Sequence, residues 1–280
     1  MRVQSECYNC LKKLANQIAD LATSEDELRE KAKAAALAIL DSKFKQGMIS
    51  VVIASEIHRS ICEITGNHDP FRFMKDVEIE KAKRLYDLIK GNFGSDFLGA
   101  LRLAALGNSI DFFRPIEAVE REIADMDIDF KINDCDRFEQ KARKAHLMLY
   151  LADNAGEMFF DMPLLNLMRK HGRTVYVVKE APIQNDVTRD EIMRGNLVTA
   201  AGETATTGTA TPGIDFSAAS EEFIKLFRQA DFVLAKGMGY YETLEELPAE
   251  GRIFFCLKAK CLPVARSLNV PLNSYVAMLH

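Results

Sequence analysis

Asp153 and Asn154 open a polar turn, Asp153-Asn154-Ala155-Gly156-Glu157, directly after a mostly apolar run from Leu147 to Ala152. A carboxylate beside an amide carbonyl offers two hard oxygen ligands, which suit Mg²⁺ or Mn²⁺ better than zinc. Asp186, in the turn after Asn185, could supply a third oxygen. Lys236-Gly237-Met238-Gly239-Tyr240-Tyr241-Glu242 carries two glycines that let backbone N–H groups approach an anion closely. Lys258 and Lys260 follow another apolar run, and either ammonium could meet a phosphate as a point charge. Each feature alone has a plainer reading. Asp153 or Asn154 could simply cap a helix, and an exposed lysine is usually just solvated. Their convergence on one edge of a sheet is the stronger argument.

That convergence depends on the elements between them. Leu147–Ala152, Thr174–Lys179, Asp231–Ala235 and Ile253–Leu257 are short apolar runs of strand length, and Asn273–Leu279 could add a further strand. Helical segments lie between or after them: the stretch from about Met158 to Lys170, then Thr188–Arg194, Ser220–Gln229 and Cys261–Leu268. Strands separated by helices imply right-handed crossovers and a mainly parallel sheet with flanking helices. The loops after residues 152, 179, 235 and 257 then share the carboxyl edge, where open α/β sheets bind ligands.

Residues 1 to about 140 carry helical signals almost throughout. Cys10, Leu11, Leu14, Ile18 and Leu21 recur at helical spacing, and Thr23-Ser24 before Glu25 opens a second helix that runs through Lys31–Leu40. Ser50–Thr65, Val77–Ile89 and Phe97–Leu106 are further helices. Two loops here bear on the cleft. His68 lies in a Gly-Asn-His-Asp-Pro break; it could ligate a metal, but the expectation is a solvated loop histidine. Asn108 and Asp111 come after Gly107, a helix C-cap, and either cap the next segment or face the same cleft as Asp153. The stretch Gly202–Gly213, GETATTGTATPG, is too polar for core and is expected to be a surface loop or a substrate lid.

Composition narrows the classes. The chain has 280 residues, a formal net charge of −5 and 48% hydrophobic content, as in an ordinary globular protein. No long basic run points to nucleic acid. No apolar run approaches the ~20 residues that span a bilayer, and the first ten residues lack the apolar core of a signal peptide. The expectation is a cytoplasmic protein with no nucleic-acid or membrane partner and an oligomeric state left open. Among the six cysteines only Cys7 and Cys10 form a C-x-x-C. On a helix both thiols would share a face, either as small buried residues or as a soft-metal or redox site that recruits Cys261.

The motifs Asp153-Asn154-Ala155-Gly156-Glu157, Asn185-Asp186, Lys236 to Glu242 and Leu257-Lys258-Ala259-Lys260-Cys261 together resemble the metal-dependent damage-control phosphatases, long catalogued as domain of unknown function 89. The Gly107-Asn108…Asp111 turn fits that family, and Cys7-x-x-Cys10 looks like its mainly prokaryotic branch. The resemblance spans essentially the whole chain. It implies an all-helical N-terminal region, residues 1–140, ahead of a Rossmann-like α/β metal-binding domain, residues 141–280. It implies a divalent metal (Mg, Mn, Co or Ni) on Asp153, Asn154 and Asp186, with Asp153, Asp186 and Lys258 in catalytic roles. Asn108, Asp111, Lys236, Gly237, Gly239 and Glu242 would bind the substrate, a small phosphate ester such as a sugar phosphate. One departure is the threonine-rich Thr206–Thr211, where the family usually carries an acid. The rival activity is an S-adenosylmethionine-dependent carboxyl methyltransferase, which the sheet and Glu180 would suit, although the first turn is not a G-x-G loop.

Overall fold

The computed structural model describes residues 1–110, 117, 119, 121, 123, 128–248 and 250–280. Asp111, expected at the cleft, lies outside them. Seven strands form one sheet in the order β1-β7-β6-β5-β2-β3-β4. They are β1 (Phe130–Asn133), β2 (Leu147–Leu151), β3 (Arg173–Val178), β4 (Thr204–Thr206), β5 (Phe232–Lys236), β6 (Ile253–Lys258) and β7 (Tyr275–Leu279). Every neighbouring pair is parallel except β6 with β7. The Rossmann-like, mainly parallel architecture is therefore as expected.

The central strands are apolar on both sides because both faces are covered. Along β2, Met148 and Tyr150 point to one core and Leu149 and Leu151 to the other. The first core is closed by α4 (Arg72–Ile89), α5 (Phe97–Gly107), α6 (Cys135–Ala142) and α7 (Met158–Arg169). The second lies under α10 (Glu221–Gln229), α11 (Gly237–Leu244) and α12 (Leu262–Ser267). Two short helices, α8 (Arg189–Arg194) and α9 (Val198–Ala201), link β3 to β4.

The helical first half divides in two. α1 (Ser5–Ala22), α2 (Asp26–Lys43) and α3 (Ser50–Thr65) bury Leu11, Ala15, Ile18, Ala36, Ile57 and Ile61 in a third core of their own. α4 and α5, by contrast, belong to the core of the sheet. β1 and α6 lie within or across the expected helical region, and β1 pairs with β7. This strand escapes a periodicity reading because it is only four residues long and Lys131 and Asn133 face solvent.

The threonine-rich stretch is likewise not a free surface loop. Residues 204–206 form the edge strand β4 on β3, and Thr207, Thr209 and Thr211 are buried. Their hydroxyls make burial tolerable by bonding locally, as Thr207 Oγ1 does to the Thr209 carbonyl at 3.2 Å. Among the described residues no helix is long and apolar enough to cross a membrane.

Candidate active site

The chain passes from β2 outward to β3 and β4, then returns to β5 on the other side of β2. The order reverses between β2 and β5, and such switch points open a crevice at the carboxyl ends of the strands. A cleft of about 350 Å³ lies there, within the range of small-molecule sites. Asp153 and Asn154 enter it from the end of β2, Asp186 from the loop after β3, and Gly239 and Glu242 from α11. The Asp153 and Asp186 turns are tied to one another. The Val187 amide donates to the Asp153 carbonyl at 2.9 Å, and Asn154 bridges to Asp186.

Behind the acids runs a buried polar chain that the sequence did not disclose. Glu157 is 1% exposed. Its Oε1 accepts from Asn108 Nδ2 at 2.7 Å and from Asn154 Nδ2 at 2.6 Å. Its Oε2 accepts from Lys236 Nζ at 2.8 Å. Lys236 also donates to Asp161 at 2.8 Å, and Asp161 accepts from the Tyr150 and Tyr176 hydroxyls. Asn108 Nδ2 reaches Asp153 Oδ2 as well, at 2.9 Å. One carboxylate oxygen thus holds two amide NH₂ groups and so fixes which way both amides face. The signal was available: Glu157 lies three residues after Asn154, one helical turn on.

Electrostatics separates these carboxylates. Burial raises the Glu157 carboxyl, but Lys236 and Lys260 outweigh it and hold Glu157 below its ordinary value. Burial, with Glu157 and Asp186 as like charges, pushes Asp153 well above the carboxylate range. Burial lifts Asp186 to about 6 despite the ammonium of Lys179. Lys179 is fully buried, donates to the Gly213 carbonyl and the Tyr240 hydroxyl, and stands 3.5 Å from Asp186 Oδ2. That Asp186 oxygen is buried with no hydrogen-bond donor at bonding distance. Glu78 of α4 braces the second turn by accepting from Asn185 Nδ2 at 3.1 Å, and burial raises its carboxyl to about 7.

The expected site residues divide accordingly. Asp153, Asn154, Asp186, Asn108, Gly239 and Glu242 line the cleft. Gly237 stands beside it with φ +79°, and a Cβ there would collide with the Asp153 carboxylate. The expected glycine loop is in fact the first turn of α11, whose Met238 and Gly239 line the cleft. Lys236 was expected at the substrate. Its ammonium lies instead behind the cleft, because two buried carboxylates claim it. Lys258 does not line the cleft either: its ammonium sits 5.2 Å from the centroid of the Tyr275 ring. Lys260 lines the cleft in its place. The strand β6 ends at Lys258, so Lys258 keeps a strand position while Lys260 lies in the loop beyond the carboxyl end, where the cleft opens. His68 is exposed and Glu180 bonds to Thr206, and neither lines the cleft.

A hard divalent cation fits this oxygen set. Asp153 and Asp186 supply two carboxylates, one with an oxygen lacking a donor, and the Nδ2 of Asn154 is engaged by Glu157, which leaves its carbonyl oxygen for the cleft. Among the described residues no three His, Cys, Asp or Glu side chains gather to hold a metal. The set therefore relies on the amide, and Cys7, Cys10 and Cys261 do not form a metal-holding group. All three thiols are free, and Cys10 lines the cleft.

A doubly covered α/β sheet with an acidic cleft at its switch point defines a Rossmann-like ligand-binding protein. The chain belongs to the family described by the damage-control phosphatase ARMT1-like domain, whose model matches residues 3–276. It is 37% identical to a damage-control phosphatase of Pyrococcus horikoshii, over 99% of this chain and 98% of that one. It is 32% identical to a damage-control phosphatase of Archaeoglobus fulgidus, over 99% of both chains. The crystal structure of a Pyrococcus horikoshii protein of the domain-of-unknown-function-89 family superposes with a TM-score of 0.92 at 35% identity. It covers 100% of this chain and 99% of that chain.

Proposed function

We propose that the protein is a divalent-metal-dependent phosphatase of small phosphorylated metabolites, sugar phosphates among them, working in the cytoplasm. The observation that carries this reading is the pair of carboxylates, Asp153 and Asp186, brought to one crevice with Asn154 between their turns. Family membership supports phosphomonoester hydrolysis, and the names of two relatives point the same way.

Asp153, Asn154 and Asp186 would hold the metal. When bound, a divalent ion polarises phosphoryl oxygens and lowers the pKa of a coordinated water. The chain's own groups do the rest. The first amides of α11 and the Lys260 ammonium meet the phosphoryl oxygens and offset the charge that grows on them. Glu157 keeps the Asn154 and Asn108 amides facing one way throughout. The water oxygen forms a bond to phosphorus as the bond from phosphorus to the leaving-group oxygen breaks. One water proton ends on that oxygen. The methyltransferase reading loses its main support, because Glu180 is exposed and bonded to Thr206 rather than lining the cleft.

The test is hydrolysis of p-nitrophenyl phosphate and sugar phosphates by metal-stripped protein, with Mg²⁺, Mn²⁺, Co²⁺ or Ni²⁺ restored singly. The expected outcome is activity that returns with a divalent ion and disappears in Asp153→Ala and Asp186→Ala. Lys260→Ala should lose far more activity than Lys258→Ala. No hydrolysis with any ion would reject the reading.

A further inference from the structure

The two walls of the cleft differ in chemistry and in origin. The acids, the amides and Lys260 all come from the α/β body. The facing wall comes from the three-helix unit and is apolar: Leu11 and Leu14 of α1, and Val51 and Ala54 of α3, joined by Met238. Leu11, Val51 and Ala54 are themselves buried, at 5%, 7% and 4% exposed, so their positions are set by packing. Leu14 is half-buried and packs against the three-helix core while lining the cleft.

A phosphoryl group and a divalent ion have no use for such a wall, because both are strongly hydrated and seek charge or hydrogen bonds. Whatever fills the apolar side must be the leaving group. A polyhydroxylated leaving group would have to shed water from its hydroxyls there without gaining partners, at a cost for each. Polar groups do line the cleft elsewhere: Gln184, which holds an uncommon positive φ of 46°, and Glu242, bonded to Ser50. A leaving group with one apolar face and a polar edge satisfies both sides.

Resting on the phosphatase reading for its chemistry, we propose that the cleft selects phosphomonoesters whose leaving group presents an apolar face. That face lies on Leu14, Val51 and Ala54, with the group's polar edge toward Gln184. Leu14 is then a specificity-determining residue, while the reacting groups belong to the body.

The experiment compares two ligands in the manganese-loaded protein and in Leu14→Asn and Leu14→Met. Benzyl phosphate and glucose 6-phosphate are the substrates. Benzylphosphonate and a sugar phosphonate are the non-hydrolysable counterparts, followed by calorimetry. Comparing each ratio between wild type and variant cancels the intrinsic reactivity of the two esters. In wild type, benzylphosphonate should bind more tightly than the sugar phosphonate. Leu14→Asn should shift the benzyl-to-sugar ratio of kcat/KM about tenfold or more toward the sugar, the range for a lost apolar contact in a pocket. Leu14→Met should keep it near wild type. Equal binding of both phosphonates, or a ratio unmoved by Leu14→Asn, would overturn the inference while leaving the phosphatase intact. Absence of hydrolysis with retained, Leu14-dependent preference for benzylphosphonate would instead reject the phosphatase reading and support the selection.

Discussion

Replacing Glu157 by glutamine tests the buried chain behind the acids most directly. The substitution keeps volume and removes one charge. In the native protein Oε1 accepts from two amides, at 2.7 and 2.6 Å, and Oε2 accepts from the Lys236 ammonium at 2.8 Å. Glutamine has one acceptor and one donor end. If its oxygen stays with Asn108 and Asn154, its NH₂ meets the ammonium. If it flips, the NH₂ meets two other NH₂ groups. Each arrangement breaks at least one charge-assisted bond, worth about 1.5–3 kcal/mol. Breaking a buried ion pair outright costs roughly 3–5 kcal/mol. Lys236 keeps Asp161 at 2.8 Å, which puts the expected loss near the bottom of that range, about 3 kcal/mol. For a chain of this size that is a fall in Tm of roughly 6–12 °C. Because the Asn154 carbonyl loses its fixed direction, divalent-ion affinity and activity should fall about 10–100-fold. Calorimetric melting and a manganese titration of Glu157→Gln measure both. A Tm within a degree of wild type, together with unchanged manganese affinity, would refute the claim that Glu157 orients the site.

Three further outcomes are expected. Asp153→Asn removes a carboxylate crowded by Glu157 and Asp186, so the metal-free variant should melt no lower than metal-free wild type. Added manganese should raise the Tm of wild type only, as scanning calorimetry with and without the ion would record. Gly237→Ala places a Cβ against the Asp153 carboxylate at a positive φ. It should cost about 1–3 kcal/mol in denaturant unfolding and abolish phosphatase activity. The third outcome concerns pH. Burial, with Lys75 nearby, lowers His58 to about 4, below its usual 6.5, so its stabilising contribution is full above pH 6.5 and is lost as pH falls toward 4. Burial raises Glu78 to about 7 from 4.5, so its contribution is full below pH 4.5 and is lost as pH rises through 7. The two oppose one another between pH 4.5 and 6.5, each on the order of 3 kcal/mol over its whole window. Relative to wild type, denaturant unfolding of Glu78→Gln should therefore show stability falling more from pH 6.5 to 4.5, and that of His58→Phe should show it falling less or rising more.

The parallel sheet was legible because its central strands are buried on both faces and read as unbroken apolar runs. The Asp153-Asn154 turn and Asp186 were legible because loops after parallel strands must share one edge. What escaped depends on direction rather than composition. Lys258 and Lys260 are the same residue type two positions apart, and only the end of β6 decides which one lines the cleft. Lys236 reads as a cation at a glycine loop. Nothing local says that Glu157 and Asp161, one helical turn apart, both turn inward to meet it. The threonines at 207, 209 and 211 read as solvent-exposed because a one-dimensional pattern does not show that β4 and their local hydrogen bonds tuck them in.

The split between the three-helix core and the core of the sheet has a consequence for synthesis. α1, α2 and α3 satisfy their apolar faces on one another and can collapse as soon as they are made. α4 and α5 cannot, because the core they belong to also needs Met148, Tyr150, Phe160 and Leu234, which are made later. β1 waits longest: its partner β7 spans residues 275–279, roughly ten to thirty seconds of translation away at ordinary elongation rates. Until α7 and the central strands are made, the growing chain carries a finished bundle trailed by unpaired helices with open apolar faces. Lesions in β7 should accordingly appear less as loss of catalysis than as chains that, once β7 has been made, still leave β1 unpaired, engage chaperones and aggregate, with the first sixty-five residues still folded.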